Sequence, residues 1–318
     1  MAYRIGSFNM CKLSFQDDME IKKDMAKICE IIEDNFDIVA IQEIFTPAAL
    51  KYRLLSNLNP TWDGRWAQPK SSSPQAAEGY AFLWNTKRFK LMTRKNRYGI
   101  EEVVEPVIID NYHVGPGQQR LLRDPYYARF IPVNGPFFEL RLFNTHIRYS
   151  ADSGDENEEE ESENIGATIA RRQELDTLIK SICDKTGDWR YGDNRAVYTF
   201  LMGDYNLNIK NGINPSPYLP EYVEIVDGQT RKSYRTVQSE KTTLKRADKV
   251  DGSTIDKFSH NYDHFTYDEE RLVNRLGIGL NAFRIDTLST EWCGGDVSKH
   301  RIKISDHVPI SLEVSING

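Results

Sequence analysis

Ser305-Asp306-His307-Val308-Pro309-Ile310 places a carboxylate and an imidazole side by side at the mouth of an apolar run. Ile304, Val308, Ile310, Leu312 and Val314 alternate as a half-buried strand does, so two polar residue types stand where burial favours another valine. A Ser-Asp-His triplet by itself is as readily a strand-end turn with a surface histidine as a site. Its weight comes from company. Four earlier segments end in the same way, each a short apolar strand running into amide, carboxylate or imidazole: Phe8-Asn9, Gln42-Glu43, Asn144-Thr145-His146 and Gly203-Asp204-Tyr205-Asn206.

Period-two spacing aims these polar ends. Tyr3, Ile5, Ser7 and Asn9 share one strand face with Phe8 opposite, and Val39, Ile41 and Glu43 share another. Phe138, Leu140, Leu142, Asn144 and His146 form a third row, and Tyr198, Phe200, Met202, Asp204 and Asn206 a fourth. An unpaired carboxylate ending an apolar row is costly unless a cation meets it. Helical spacing predicts helices over 19–34, 47–58 and 165–182. Further strands are expected over 78–85, 89–98, 126–133, 261–267 and 276–288, with exposed loop over 59–77 and a ligand-approaching loop over 110–124.

The chain has 318 residues, 39% hydrophobic and 28% charged, with 16 Tyr and 14 Phe, enough for one large α/β domain spanning 1–318. Two interruptions are expected within it: an acidic insertion over 151–164, read as solvated and kept off any phosphate path, and a loop-rich insertion over 208–255. The latter carries a basic patch of Lys241, Lys245 and Arg246 among Thr236, Thr242 and Thr243. The net charge of −6 argues against a protein that coats nucleic acid with its whole surface, while leaving room for a local basic groove. Cys11, Cys29, Cys183 and Cys293 lack metal spacing and read as reduced thiols. Without a transmembrane or lipidation pattern, no stable membrane association is expected, and the chain as written reads as cytoplasmic, or secreted if a signal peptide has been removed.

Strands punctuated by hairpins and a few helices predict a four-layer α/β sandwich: two packed mixed, mostly antiparallel sheets with outer helices. Phosphate fingerprints of the GxGxxG and GxxxxGK[ST] types are absent, as is a GxSxG elbow. The polar set that remains, Asn9, Glu43, Asp204, Asn206 and Asp306 with two histidines, offers hard oxygen donors suited to Mg²⁺, or Mn²⁺, rather than zinc.

In this order and over nearly the whole chain, Ser7-Phe8-Asn9, Gln42-Glu43, Asn144-Thr145-His146, Gly203-Asp204-Tyr205-Asn206 and Ser305-Asp306-His307 resemble the endonuclease/exonuclease/phosphatase superfamily. Glu78-Gly79-Tyr80, Arg123-Asp124-Pro125 and Tyr262-Asp263-His264 resemble its deoxyribonuclease I branch. Gln42-Glu43-Ile44-Phe45 departs from that branch, where an arginine is expected to follow. The resemblance implies metal-dependent phosphodiester hydrolysis. Glu43, helped by Asn9 and Asp306, is then the metal site. His307 is the base, held in its tautomer by Asp263, and His146 assists the leaving oxygen, oriented by Glu78. Asp204 and Asn206 align water and phosphate, and Arg123 clamps a phosphate oxygen. His113, His260, His264 and His300 match no motif and read as structural.

The function expected is an Mg²⁺-dependent endonuclease acting on the DNA backbone with little base preference. The alternative turns the same machinery on RNA, nucleotides, phosphoinositides or sphingomyelin, and a non-catalytic binding module is a third reading. Sequence leaves the number of metals and the oligomeric state open.

Overall fold

The computed structural model describes residues 2–16, 22–69, 78–110, 112, 121–135, 137–148, 165–188, 195–209, 219–227, 230–245, 257–289 and 291–316. In chain order these form β1 (Ala2–Leu13), α1 (Met25–Asn35), β2 (Ile38–Ile44), α2 (Pro47–Ala49, continued by π-helical Leu50–Leu55), β3 (Trp62–Ala67), β4 (Tyr80–Asn85), β5 (Phe89–Leu91), β6 (Thr93–Lys95), β7 (Glu101–Val103), β8 (Val107–Ile108), β9 (Tyr126–Pro132) and β10 (Phe138–His146). There follow α3 (Ile165–Thr177, continued by π-helical Leu178–Cys183), α4 (Asp184–Asp188), β11 (Ala196–Asp204), β12 (Tyr222–Asp227), β13 (Thr230–Val237), β14 (Asp263–Asp268), a π-helical turn Glu270–Arg275, β15 (Gly279–Arg284), α5 (Val297–Lys303) and β16 (Ile310–Ser315).

Two sheets hold most strands, in the orders β15-β16-β1-β2-β4-β3 and β12-β13-β14-β11-β10-β9-β5. Each has one parallel pair at its centre, β1 with β2 and β10 with β11, and antiparallel neighbours on both sides. The inner faces meet in an aromatic-rich core that includes Tyr3, Phe82, Phe130, Phe138, Phe200 and Phe265. The outer face of the first sheet packs on α1 through Phe8, Ile28, Ile32 and Ile41, and that of the second on α3 through Phe143, Leu175, Ile179 and Leu201. Helix, sheet, sheet and helix make the four layers that alternating rows such as Tyr3-Ile5 against Phe8 imply.

The topology decides where polar ends collect. Parallel strands finish at the same edge, so β1, β2, β10 and β11 deliver their C-terminal residues side by side. Their antiparallel neighbours begin there, bringing the N-terminal ends of β16, β4, β9 and β14. At this edge the apolar core gives way to buried amides: Gln42 Nε2 donates to Asn144 Oδ1 at 2.7 Å and to Ser7 Oγ at 3.1 Å, and Asn144 Nδ2 donates to the Ile41 carbonyl at 2.9 Å and the Ala81 carbonyl at 3.1 Å. These bonds stitch one sheet to the other beneath the cleft.

Several expectations need correction. The 59–77 stretch is not all exposed loop, because Trp62–Ala67 pairs with β4 and turns Trp62 into the α1 layer. The 208–255 region builds the β12–β13 hairpin that extends the second sheet, its alternation masked by arginines on the wet face and by Lys232, which pairs with Asp184 on the other. Ile304 ends α5 rather than joining the last strand, which starts at Ile310, and the strand expected over 276–288 is confined to Gly279–Arg284. The first expected helix starts at Met25. The acidic 151–164 segment, Arg246 and His113 lie outside the described residues.

Gly203 sits at φ +147° where β11 pairs with Thr145, and an added Cβ would lie 1.8 Å from the Thr145 carbonyl oxygen. Gly203→Ala is therefore expected to destabilise the fold by about 3 kcal/mol or more in urea denaturation; a change within about 0.5 kcal/mol, the range of an ordinary surface substitution, would contradict this close approach.

Candidate active site

Glu43 closes β2 in the left-handed region, at φ 57°, an unusual conformation for a residue other than glycine. Two features hold it there. Ile44 and Gly79 exchange backbone hydrogen bonds at 3.1 and 3.2 Å, which sets Glu78 beside Glu43; a Cβ on Gly79 would lie 2.6 Å from the Ile44 oxygen. On the other flank the β1–β2 register shifts between Asn9 and Leu13, with Cys11 and Lys12 at φ 45° and 62°. That bulge turns the Lys12 N–H onto Glu43 Oε2 at 3.1 Å.

Asn9 joins the halves of the cleft. Its Nδ2 donates to Glu43 Oε1 at 3.1 Å and to Asp204 Oδ2 at 3.0 Å, while its Oδ1 accepts the Cys11 N–H at 2.9 Å. Asp204 Oδ2 in turn lies 3.6 Å from both His146 Nε2 and His307 Nε2. Each imidazole has a second carboxylate on its other nitrogen: Glu78 Oε2 stands 3.0 Å from His146 Nδ1, and Asp263 Oδ2 2.7 Å from His307 Nδ1. The register explains the meeting, since Asp204 pairs with His146 in β10 and with Asp263 in β14.

Asp306 and His307 follow the expected local bend. Ser305 Oγ donates to the Asn9 carbonyl at 2.7 Å and accepts the His307 N–H at 3.1 Å, and His300 Nδ1 lies 2.6 Å from the Ser305 carbonyl oxygen. The turn is pinned to β1, and its two side chains separate, Asp306 toward Arg301 Nη2 at 3.6 Å and His307 toward Asp263. Asn206, at φ 49°, closes an Asp-x-Asn turn by donating its N–H to Asp204 Oδ1 at 2.9 Å and its Nδ2 to the Ile147 carbonyl at 2.8 Å. Arg123 Nη2 pairs with Glu78 Oε1 at 2.8 Å. All ten residues singled out in the sequence thus sit at one edge.

Charge is unevenly matched there. Burial, with Glu78 and Asp306 nearby, pushes the Glu43 carboxyl up despite His146. Burial also raises Asp204 against the pull of both imidazoles. Burial works against the charged form of His307, yet Asp263 and Asp204 carry its imidazolium up to about 10; His146 is raised by Glu78 in the same way. Burial opposes the ionised form of Asp306, but His307, Arg301 and a bond from Cys11 bring it below the usual range. The Glu43 side of the cleft is thus rich in oxygen donors and negative charge, which fits a hard divalent cation. Donor atoms close to within 4.8 Å in two triads, Glu43-Glu78-His146 and Asp204-Asp263-His307. Both triads include an imidazole whose charged form is favoured, but only the first has part-exposed carboxylates, Glu43 and Glu78, open to an ion from solvent.

Sequence reading passed over the supports. Tyr80 Oη accepts the His146 N–H at 3.0 Å, and Arg301 and Cys11 attend Asp306. Glu78-Gly79-Tyr80 carried a signal for Tyr80; Arg301 had none. Of the histidines set aside, His264 lies between the Gln238 and Leu207 carbonyls, His300 bridges Thr287 and Ser305, and His260 stacks on Tyr262 at 4.6 Å.

Among solved structures, ANGEL2, a 2′,3′-cyclic phosphatase of the endonuclease/exonuclease/phosphatase superfamily solved with adenosine-2′,3′-vanadate, matches with a TM-score of 0.55 at 15% identity over 98% of this chain and 95% of that one. At this identity the likeness is one of fold alone. A functionally unknown conserved protein from Enterococcus faecalis V583 matches with a TM-score of 0.53 at 14% identity, covering 99% of this chain and all of its own. No protein-family model and no curated protein sequence matches the chain. No helix among the described residues is long and apolar enough to cross a membrane.

Because His307 is raised above its ordinary 6.5, its charged pairing supports folding fully below pH 6.5 and fades as pH climbs to about 10. Asp263→Asn is expected to lower the His307 imidazole titration by NMR, and the stability gap from wild type should be widest near pH 6 and narrow toward pH 10. A His307 that titrates at the same pH in both proteins contradicts the pairing.

Proposed function

We propose that this chain is a divalent-metal-dependent phosphodiesterase, and that the DNA backbone is its substrate, cut internally with little sequence preference. One observation carries the reading: two imidazoles, each with its own carboxylate on Nδ1, present Nε2 to the same Asp204 oxygen at 3.6 Å, and Asn9 ties that oxygen to Glu43. Such a set can bind a phosphate and move protons on both sides of it.

Glu43, with Asn9 and Asp306 around it, would hold the cation, which when bound supplies charge neutralisation at a phosphoryl oxygen. Mg²⁺ suits these oxygen donors, and Mn²⁺ can replace it. Arg123 holds a non-bridging oxygen from the Glu78 side. Asn206 and Asp204 bracket the attacking water. Asp263 fixes Nδ1 of His307, so Nε2 faces the reacting phosphate. Its ring, once neutral, takes the proton of the attacking water, and Asp263 and Asp204 favour the charged imidazole that results. His146, oriented by Glu78, delivers a proton to the leaving oxygen.

Resemblance of Glu78-Gly79-Tyr80, Arg123-Asp124-Pro125 and Tyr262-Asp263-His264 to the deoxyribonuclease I branch supports DNA. The ANGEL2 likeness favours a second reading, a nucleoside 2′,3′-cyclic phosphate. Supercoiled plasmid, single-stranded RNA and a 2′,3′-cyclic nucleotide, each assayed in Mg²⁺, separate them. Nicked plasmid is expected, abolished by EDTA; intact plasmid beside an opened cyclic phosphate would reverse the order. Glu43→Gln, His146→Ala and His307→Ala are each expected to lower kcat by about 10²–10⁴-fold while the protein stays folded, and a His146→Ala variant as active as wild type would remove the proposed leaving-group role.

A further inference from the structure

Glu174 stands on α3, in the outer helical layer, and takes no part in the chemistry above. Its side chain is buried, the residue being only 3% exposed. Its carboxylate Oε1 accepts the backbone N–H of Leu122, on the stretch entering β9 and next to Arg123. Among the described residues no lysine or arginine side chain forms an ion pair with it. The Arg123 guanidinium, which acts on it through space, is committed to Glu78 Oε1 at 2.8 Å.

A buried carboxylate satisfied only by a backbone donor is an expensive way to pack a helix on a sheet. Leu175 and Ile179 on the same helix already supply that packing. What Glu174 adds is control of one short segment: the Leu122 N–H is fixed, which sets the place from which the next residue, Arg123, reaches out. From Arg123 the linkage continues to Glu78 and from Glu78 to His146 Nδ1 at 3.0 Å. We propose that Glu174 is a positioning residue for phosphate binding, whose ionised carboxylate holds the 122–123 segment so that Arg123 meets a phosphate oxygen. This rests on the phosphodiesterase reading for its substrate but not for its geometry.

Burial raises the Glu174 carboxyl to about 7, against the stabilising Leu122 N–H and the charges of Arg123 and His146. Tyr80 on β4 and Tyr112 feel its charge in turn. The clamp therefore loosens on the acid side of neutrality, when protonation removes one acceptor.

The test uses the full chain and its Glu174→Gln variant, with melting temperature as the folding control. Hydrogen exchange at the Leu122 amide, corrected for intrinsic rates, is expected to be about tenfold faster in the variant at pH 8, and in wild type to quicken between pH 8 and pH 6. Kinetics on bis(p-nitrophenyl) phosphate are expected to show KM about tenfold higher with kcat within a few-fold, because binding common to ground and transition states is lost. Wild-type KM should rise below pH 7 and the variant's should not. Unchanged amide protection, or a fall in kcat and melting temperature together without a pH-dependent change in KM, overturns the proposal. If neither protein hydrolyses any phosphodiester, the proposed function fails, and amide exchange alone still decides the role of Glu174.

Discussion

The Nδ2 atom of Asn9, shared between Glu43 on its own sheet and Asp204 on the other at 3.1 and 3.0 Å, is the contact on which the cleft depends. Two carboxylates, Asp204 buried and Glu43 part-buried, face one another across the seam between sheets, where their repulsion would part them. One amide donates to both, and two imidazoles flank the Asp204 oxygen. The site is therefore a property of how the sheets are joined rather than of either alone. Beneath it the Gln42–Asn144 bond repeats the same solution without charge, so the stitching runs from the floor of the cleft down to the aromatic core.

Strand direction makes such a seam possible. A wholly antiparallel sheet sends neighbouring strands out at opposite edges, whereas one parallel pair in the middle of each sheet brings two C-terminal ends together. Asn9 and Glu43 share one such edge, His146 and Asp204 the other. Local backbone cost concentrates at the same place: Cys11, Lys12, Glu43 and Asn206 all have positive φ, and Gln238 is the remaining non-glycine example among the described residues. Held open by neighbouring hydrogen bonds, these conformations turn side chains out of the strand path and into the cleft.

The rows that end in polar residues were legible because burial enforces period two, and any carboxylate or imidazole at the end of such a row must face the others. Hence the two sheets, their outer helices and the polar row ends Asn9, Glu43, His146, Asp204 and Asn206 could be read before the fold was known, whereas Glu78, Arg123 and Asp263 came from the family resemblance. The β12–β13 hairpin was not legible, since Arg231 and Arg235 on one face and Lys232, paired with Asp184 on the other, hide the alternation, and Trp62–Ala67 was obscured by the glycine and charges around its two tryptophans. Glu174 escaped notice for a different reason. Its partner is the Leu122 backbone N–H, about fifty residues earlier, and no side-chain pattern records such a bond. The charge state of His307 was equally invisible, because it depends on Asp204 and Asp263 closing on it together.

Diffraction at the manganese edge from crystals soaked in Mn²⁺ tests the central claim most directly, because it locates the cation without reference to any substrate. The account predicts an anomalous peak within coordination distance of a Glu43 carboxylate oxygen, on the side of the cleft shared with Asn9 and Asp306. A peak centred instead between Asp204 and Asp263, displacing His307, or no ordered manganese at Glu43 at millimolar concentration, would contradict it.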